Sequence, residues 1–443
     1  MKFPNTVDRN IYLAYIHKDT IPVTKKNEHQ LQHHQNHQQI LDAINLNWDL
    51  NHPESLVELC VKIIAENWNI LPLFRGIIVH ENRSLLADIL EFENLQLSDL
   101  CTHIKVNSLW KRMYGTKWPM ISNHRQRPWI ELYMEKYLSE SLENLRPVDY
   151  NIDKIRNLVD LCSPFVRNLN IDHLQAIPAH DNDTINDHIP FDTILESLNE
   201  IKCLSITYDC RSIGTKFYLT CTSISDNDIK KFTRGLCNTD LLEFKFHSSK
   251  LEPLMLKQIG LALDKNTSLA KIEMPNCRFG DAGLSSFCTI LTHDSLPHVR
   301  HLVLSNNFIS HEGAALLANI LRRRKIETLD LKLNPILTEG ANEIFALAGI
   351  VELVELNLSS CSFDENVEES LLYVIKNNKM LVRLNISINK LSDDLGMEIL
   401  NKLSSNDVLR HLDVRGAGIS HKIKRMIDAT VLENREKNNT VGQ

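Results

Sequence analysis

Along the C-terminal half of the chain, apolar residues return in one fixed figure. They hold the first, fourth and sixth places of an eleven-residue segment, with Asn or Cys usually at the ninth. The segments are LAKIEMPNCRF from Leu269, VRHLVLSNNFI from Val299, IETLDLKLNPI from Ile326, LVELNLSSCSF from Leu353, LVRLNISINKL from Leu381 and LRHLDVRGAGI from Leu409. Their ninth places are Cys277, Asn307, Asn334, Cys361, Asn389 and Ala417, separated by 30, 27, 27, 28 and 28 residues. Alternation within each segment predicts a short strand, with leucines such as Leu329 and Leu331 inward and Asp330 outward. The ninth residue falls where the chain leaves the strand, where a buried side chain can satisfy backbone groups that no neighbouring strand reaches. Between segments, Leu316, Leu317, Ile320 and Leu321 have the spacing of a helix with one apolar face.

This is the figure of a leucine-rich repeat. A unit near 28 residues, strand plus full helix, is the ribonuclease-inhibitor-like kind, so the fold class is an α/β solenoid with helices on its convex side. Two weaker segments come first: LLEFKFHSSKL from Leu241, with Phe244 and Phe246 in apolar places, and IKCLSITYDC from Ile201, which fits only its first half. About 40 residues separate them, and the alternating KFYLT within that stretch predicts an inserted strand or hairpin. After the last segment, HKIKRMIDATVLENREK reads as a polar capping helix. The count is about eight units.

Upstream the period is helical. ESLVELCVKIIAENW places Leu56, Leu59, Cys60, Ile63 and Ile64 on one face, and WIELYMEKYLSESLENL does the same with Ile130, Met134, Tyr137, Leu138, Leu142 and Leu145. Trp48, Trp68, Trp110, Trp118 and Trp129 fall among these helices and read as core. His29, His33 and His37 have i, i+4 spacing in a low-complexity polar stretch, and no carboxylate or thiol beside them completes a metal site. The organisation expected is therefore a flexible polar segment 1–39, a helical domain 40–176, an Asp-, Asn- and Pro-rich linker 177–192, a repeat domain 193–428 and a tail 429–443. On that division, removing residues 1–175 should leave a folded solenoid.

Composition narrows the function. A net charge of -7 supplies no global basic field for nucleic acid or anionic membrane. The ten cysteines include no C-x-x-C pair, and several fall on core places of the repeat, as buried thiols in a reducing compartment would. The polar start lacks a signal-peptide apolar region and no apolar run reaches transmembrane length, so an intracellular chain is expected and the sequons at Asn182, Asn266, Asn357 and Asn385 read as chance. Phosphate-binding loop, zincin, nucleophile-elbow and dinucleotide-turn motifs are absent, so neither enzyme nor cofactor is expected. What remains is a polar inner face suited to protein binding: Glu273, His301, Ser305, Asp330, Lys332, Glu355, Asn357, Arg383, Asn385, His411, Asp413 and Arg415. A basic run, Arg322, Arg323, Arg324 and Lys325, ends one repeat helix. It either complements the helix dipole or docks an acidic partner.

The N-terminal segments carry a resemblance. LNWDL at 46–50, LVELCVKIIAEN at 56–67, SLWKRMYGTKWP at 108–119, WIELYMEKYLSESLENL at 129–145 and LVDLCSPFVRNLNIDHL at 158–174 precede the repeat array in that order. So arranged, the chain resembles the T-complex-associated testis-expressed protein 1 family, subunit 5 of the nexin–dynein regulatory complex. The stretch from Tyr208 to Thr220 resembles the same family at the same place. The resemblance implies a non-catalytic scaffolding subunit of the axoneme of motile cilia and flagella. Its partners would be other subunits of that complex, with the doublet microtubule or dynein as further ones, and its location the cytoskeleton. Two other readings use similar parts. In a ubiquitin-ligase substrate adaptor, ESLVELCVKIIAEN would be a divergent box helix. A Ran-type GTPase-activating protein shares the 28-residue unit but begins almost directly with repeats and ends in a long acidic tail.

Overall fold

The computed structural model describes residues 56–68, isolated positions between 83 and 89, and residues 96–103, 106–119, 127–145, 151–174, 189–208, 224–291 and 296–440. The histidines at 29–37, the KFYLT stretch and most of the 177–192 linker lie outside them. The chain divides into two compact units, Met1–Arg112 and Met113–Gln443.

The first unit holds helices α1 (Leu56–Glu66) and α2 (Leu97–His103) and the start of α3 (Asn107–Lys117). Trp68, Leu100, Leu109 and Trp110 are buried. The spacing in α1 correctly predicts a helix, but among the described residues Leu56, Leu59 and Ile63 of its apolar face are exposed, and Val61 is the buried one.

In the second unit, helices α4 (Trp129–Glu143) and α5 (Ile152–Cys162) lead into β1 (Asn168–Ile171). The repeats then alternate helix and strand: α6 (Phe191–Ser197), β2 (Cys203–Ile206), α7 (Asp226–Leu236), β3 (Glu243–Phe246), α8 (Pro253–Leu263) and β4 (Lys271–Glu273). They continue as α9 (Gly280–Leu291), β5 (His301–Val303), α10 (His311–Leu321), β6 (Thr328–Asp330), α11 (Leu337–Ala348) and β7 (Glu355–Asn357). The array ends with α12 (Glu368–Asn377), β8 (Arg383–Asn385), α13 (Asp393–Leu403), β9 (His411–Asp413) and α14 (His421–Thr440). The strands form one parallel sheet in sequence order, each in direct register with the next. Among the described residues the second unit is thus an α/β leucine-rich-repeat solenoid of nine strands, one more than the repeat count predicts.

The additional strand is β1. Val166, Leu169, Ile171 and Leu174 repeat the apolar spacing and are fully buried, but Leu174 takes the place of the Asn or Cys. At this end the core turns aromatic: Phe191, Tyr208, Phe232, Phe244 and Phe246 interlock, with Phe191 meeting Phe232 edge-on at 5.5 Å. Farther along, the inward leucines of the strands, such as Leu302, Leu329, Leu356 and Leu384, are buried almost completely. Each contributes about 1.5–3 kcal/mol.

The ninth-place side chains tie the units together. Asn334 accepts from the Asn307 and Ile309 backbone N–H groups at 2.8 and 3.1 Å and donates to the carbonyls of Leu304 and Leu331 at 3.0 and 2.8 Å. Asn307 accepts from Cys277 N and Arg278 N and donates to Met274 O, while Asn389 accepts from Cys361 N and donates to Leu358 O and Ile386 O. The buried thiols of Cys277 and Cys361 do the same more weakly, donating to Phe246 O and Leu331 O while the backbone N–H groups of Ser249 and Asn334 face their sulfurs. To aim these side chains inward, the preceding residue is left-handed in seven successive units, with φ of 53–64° at Ser248, Asn276, Asn306, Leu333, Ser360, Ile388 and Gly416. A second series serves the opposite bends. The buried Asn406, for example, donates to Ile375 O at 2.6 Å and accepts from Leu409 N at 2.8 Å. Asn266 does similar work with its side chain wholly buried, so that sequon presents no amide to a glycan.

Both ends of the sheet are finished by side chains. On the β1 edge, α4 lies alongside, and the Glu135 carboxylate accepts from the backbone N–H groups of Arg167 and Asn168 at 3.0 and 2.7 Å. Two helical turns on, Glu143 accepts from Asp172 N at 2.7 Å. Arg127 holds Glu135 through two hydrogen bonds of 3.0 and 2.7 Å. On the β9 edge the polarity is reversed: α14 brings Asn434 to the carbonyls of Asn406 and Leu409 and Arg435 to that of Arg410. Helix α14 runs unbroken through 428, so the segment expected as a tail carries buried residues, Val431 and Asn434.

Two predictions follow from these contacts. A chain beginning at Asn107 keeps α4 and β1 and stays soluble, whereas one beginning at residue 176 loses the finished edge and aggregates in size-exclusion chromatography, against the division read from sequence. Second, substitutions at Asn334 rank by the hydrogen bonds they forfeit. In urea denaturation, Asn334→Cys costs least because it keeps a donor, Asn334→Ala costs about 2–4 kcal/mol, and Asn334→Asp costs most because it buries a charge facing carbonyls.

Candidate protein-binding surface

Strand alternation sets the concave face. The residues at the first and last places of each three-residue strand are half-exposed or exposed, and the middle leucine or isoleucine is buried. Glu273, His301, Asp330, Glu355, Asn357, Arg383, Asn385, His411 and Asp413 all occupy such outward places, with Lys332 and Arg415 just beyond their strands. Ser305 does not join them. It is 3 % exposed, because the chain has already turned inward, and its carbonyl accepts from Asn276 N. Val303 is the outward residue on that strand. The same alternation rule, applied to both outward places and to the weak N-terminal segments, adds Lys271, Thr328, Asn168, Asn170, Ser205, Glu243 and Lys245. Five further residues, Lys424, Asp428, Val431, Leu432 and Arg435, come from α14, and no local sequence signal places them here.

Two hollows form on this face. One, of about 430 Å³, lies over β1–β4 and is bordered by Arg127. The other, of about 670 Å³, lies over β6–β9 and is walled by α14. In the first, burial works to raise the Glu273 carboxyl, but the Lys271 ammonium at 2.6 Å and Lys245 at 3.6 Å outweigh it and hold the group low. Cys203 sits here too, its thiol pushed up to about 11 by burial and by the nearby Glu243, which makes it a poor nucleophile.

In the second hollow, charges are paired along the strands. Arg383 meets Glu355, and Arg415 closes on Asp413 at 2.6 Å, which keeps the Asp413 carboxyl low. Asp330 goes the other way: burial raises its pKa despite Lys332 and the amide of Asn357. Asn357 and Asn385 are fixed by their own oxygens, which accept from Ser359 N and Ser387 N, each at 3.1 Å. At the far end, Arg435 donates to Nδ1 of His411, placing the imidazole proton on Nε2. Burial, then the charges of Arg435 and Arg383, lower the His411 pKa.

The basic run is divided by its contacts. Arg322 lies 3.6 Å from Glu343, and Arg324 donates to Leu296 O at 2.6 Å, while Arg323 and Lys325 are exposed. Cys277, Cys288 and Cys361 are buried with pKa values pushed up to about 12, as inert core thiols, whereas Cys60 and Cys237 are exposed. Among the described residues no group of His, Cys, Asp and Glu could hold a metal ion, and no helix is long and apolar enough to cross a membrane.

A family model described as Leucine Rich repeat matches residues 295–318, from the approach to β5 into α10. The human protein named Dynein regulatory complex subunit 5 is 24% identical over 283 residues, covering 59% of this chain and 56% of that one. Its namesake from Chlamydomonas reinhardtii is 23% identical over 189 residues, covering 42% and 45%. Mouse Ribonuclease inhibitor is 27% identical over 217 residues, covering 44% and 46%. The chain spans about half the length of the curated relatives it matches.

Replacing Arg435 by Gln removes the nearer of the two cations that disfavour imidazolium, so the His411 pKa rises in Arg435→Gln, as read from imidazole NMR shifts against pH. Arg383→Gln gives a smaller rise in the same direction.

Proposed function

We propose that this chain is a non-catalytic subunit of a dynein regulatory complex, a scaffold that holds other axonemal components on its repeat surface. The observation that carries the reading is its similarity to proteins named Dynein regulatory complex subunit 5 from organisms as distant as human and Chlamydomonas reinhardtii. The architecture agrees with that role. A solenoid presents a long polar concave face without requiring catalytic machinery. The mixed, mutually paired charges on that face suit specific protein contacts better than a reaction centre.

On this reading the chain resides in the ciliary or flagellar axoneme and bears on dynein-driven motility through contacts with neighbouring subunits, with the doublet microtubule or dynein itself as further partners. The inner-face residues on β4–β9 are the proposed contact surface. The exposed Arg323 and Lys325 are a second, electrostatic one, weakened by salt.

The test is location. The tagged chain, expressed in ciliated or flagellated cells, stays along the axoneme after detergent extraction and brings down other subunits of the complex. A nuclear-envelope or diffuse cytosolic signal without axonemal retention overturns the reading and favours a GTPase-activating protein or a ubiquitin-ligase adaptor.

A further inference from the structure

We infer that the hollow over β6–β9 receives an extended peptide segment bearing one cationic and one anionic side chain about four residues apart. The inference rests on the reading of the concave face as a partner surface, and it names the chemistry of the partner.

Three observations support it. First, charge in the hollow is polarised from end to end. Asp330 lies on β6, the first strand, with its carboxylate largely desolvated and only partly offset by Lys332 at 3.7 Å and the Asn357 amide. Arg435 and Lys424 line the opposite wall, beside His411 on the last strand, and outnumber the one carboxylate there, Asp428. Between them the remaining ionic groups largely cancel in the pairs Glu355–Arg383 and Asp413–Arg415. An ammonium or guanidinium at Asp330 would complete the compensation of that desolvation, and a carboxylate at the α14 end would meet Arg435 and Lys424.

Second, the middle of the hollow is built to meet a backbone. Asn357 and Asn385 are neighbours in register on β7 and β8. The Asn385 oxygen accepts from both Ser387 N and Ser387 Oγ, which fixes the amide plane and leaves its NH2 toward the hollow with no protein partner among the described residues. A fixed amide donor of this kind suits a peptide carbonyl, because its orientation is set before the ligand arrives.

Third, the dimensions agree. Strands in register lie about 4.8 Å apart, so β6 to β9 spans roughly 14 Å, and an extended chain at about 3.3 Å per residue covers that in about four residues. A volume of about 670 Å³ suits a segment of that length.

The experiment uses the full chain and fluorescently labelled synthetic peptides carrying one Lys and one Glu in a Gly/Ser/Ala background, with the spacing between the charges varied. Anisotropy is expected to show tightest binding near a spacing of four, in whichever order matches the chain direction. Asp330→Asn lowers affinity for that peptide about tenfold, while thermal stability stays the same or rises because a desolvated charge has gone. The double swap Glu355→Arg with Arg383→Glu keeps the ion pair but moves the cation away from His411, and it too weakens binding without unfolding the chain. Affinity independent of spacing, or an Asp330→Asn variant that binds unchanged, overturns the inference. The two proposals fail separately: peptide selectivity without axonemal retention removes only the ciliary reading, and retention without spacing preference removes only this one.

Discussion

A stack of strands that turns sharply after every three or four residues leaves backbone N–H and C=O groups buried at each turn, where neither water nor a neighbouring strand can reach. Everything else in this solenoid depends on how they are satisfied. An Asn side chain is well matched to the task, because one amide accepts from the backbone of one unit and donates to the carbonyls of its own and the preceding one. Cys277 and Cys361 are half-solutions, apolar enough to be buried and able to donate but weak as acceptors. Each is followed by a unit whose Asn accepts from its backbone: Asn307 from Cys277 and Asn389 from Cys361.

The same requirement explains the left-handed residue that precedes each ninth place. Asn276 and Gly416 take that conformation easily, whereas Leu333 and Ile388 take it at a cost of about 1–2 kcal/mol. Register along the sheet is worth more than that local strain, since one unit out of line would forfeit hydrogen bonds on both sides. With register fixed, the outward residues fall into columns, and the concave face becomes a regular polar surface. Its local character comes from single substitutions such as Asp330 or His411.

Legibility from sequence followed the same division. The six strong repeats, their strands and nearly all of the inner face could be read because leucine alternation and the ninth-place Asn are local signals that recur. Ser305 is the exception, because strand alternation extended one pair of residues past β5 points it outward while the chain has already turned inward. β1 is not legible, because Leu174 stands where the polar marker belongs, although Val166, Leu169 and Ile171 keep the spacing. α14 was legible as a cap, but not its contribution to the hollow, since Arg435 meets His411 only through the fold. Nor could sequence show that α4 serves the sheet. Glu135 and Glu143 look like solvated helix charges until β1 is placed beside them.

The two sheet edges are finished with opposite chemistry: carboxylates over exposed N–H groups at one end, an amide and a guanidinium over exposed carbonyls at the other. Neither end is a surface onto which another repeat, from this chain or a second copy, can be laid. Lengthening by duplication is therefore confined to the interior. There an added unit of about 28 residues would find the same register above and below and extend the array by roughly one strand spacing, about 4.8 Å. In evolutionary terms the solenoid is an array with fixed fittings and an adjustable middle, and the separation of whatever its two ends hold can change in steps of one repeat.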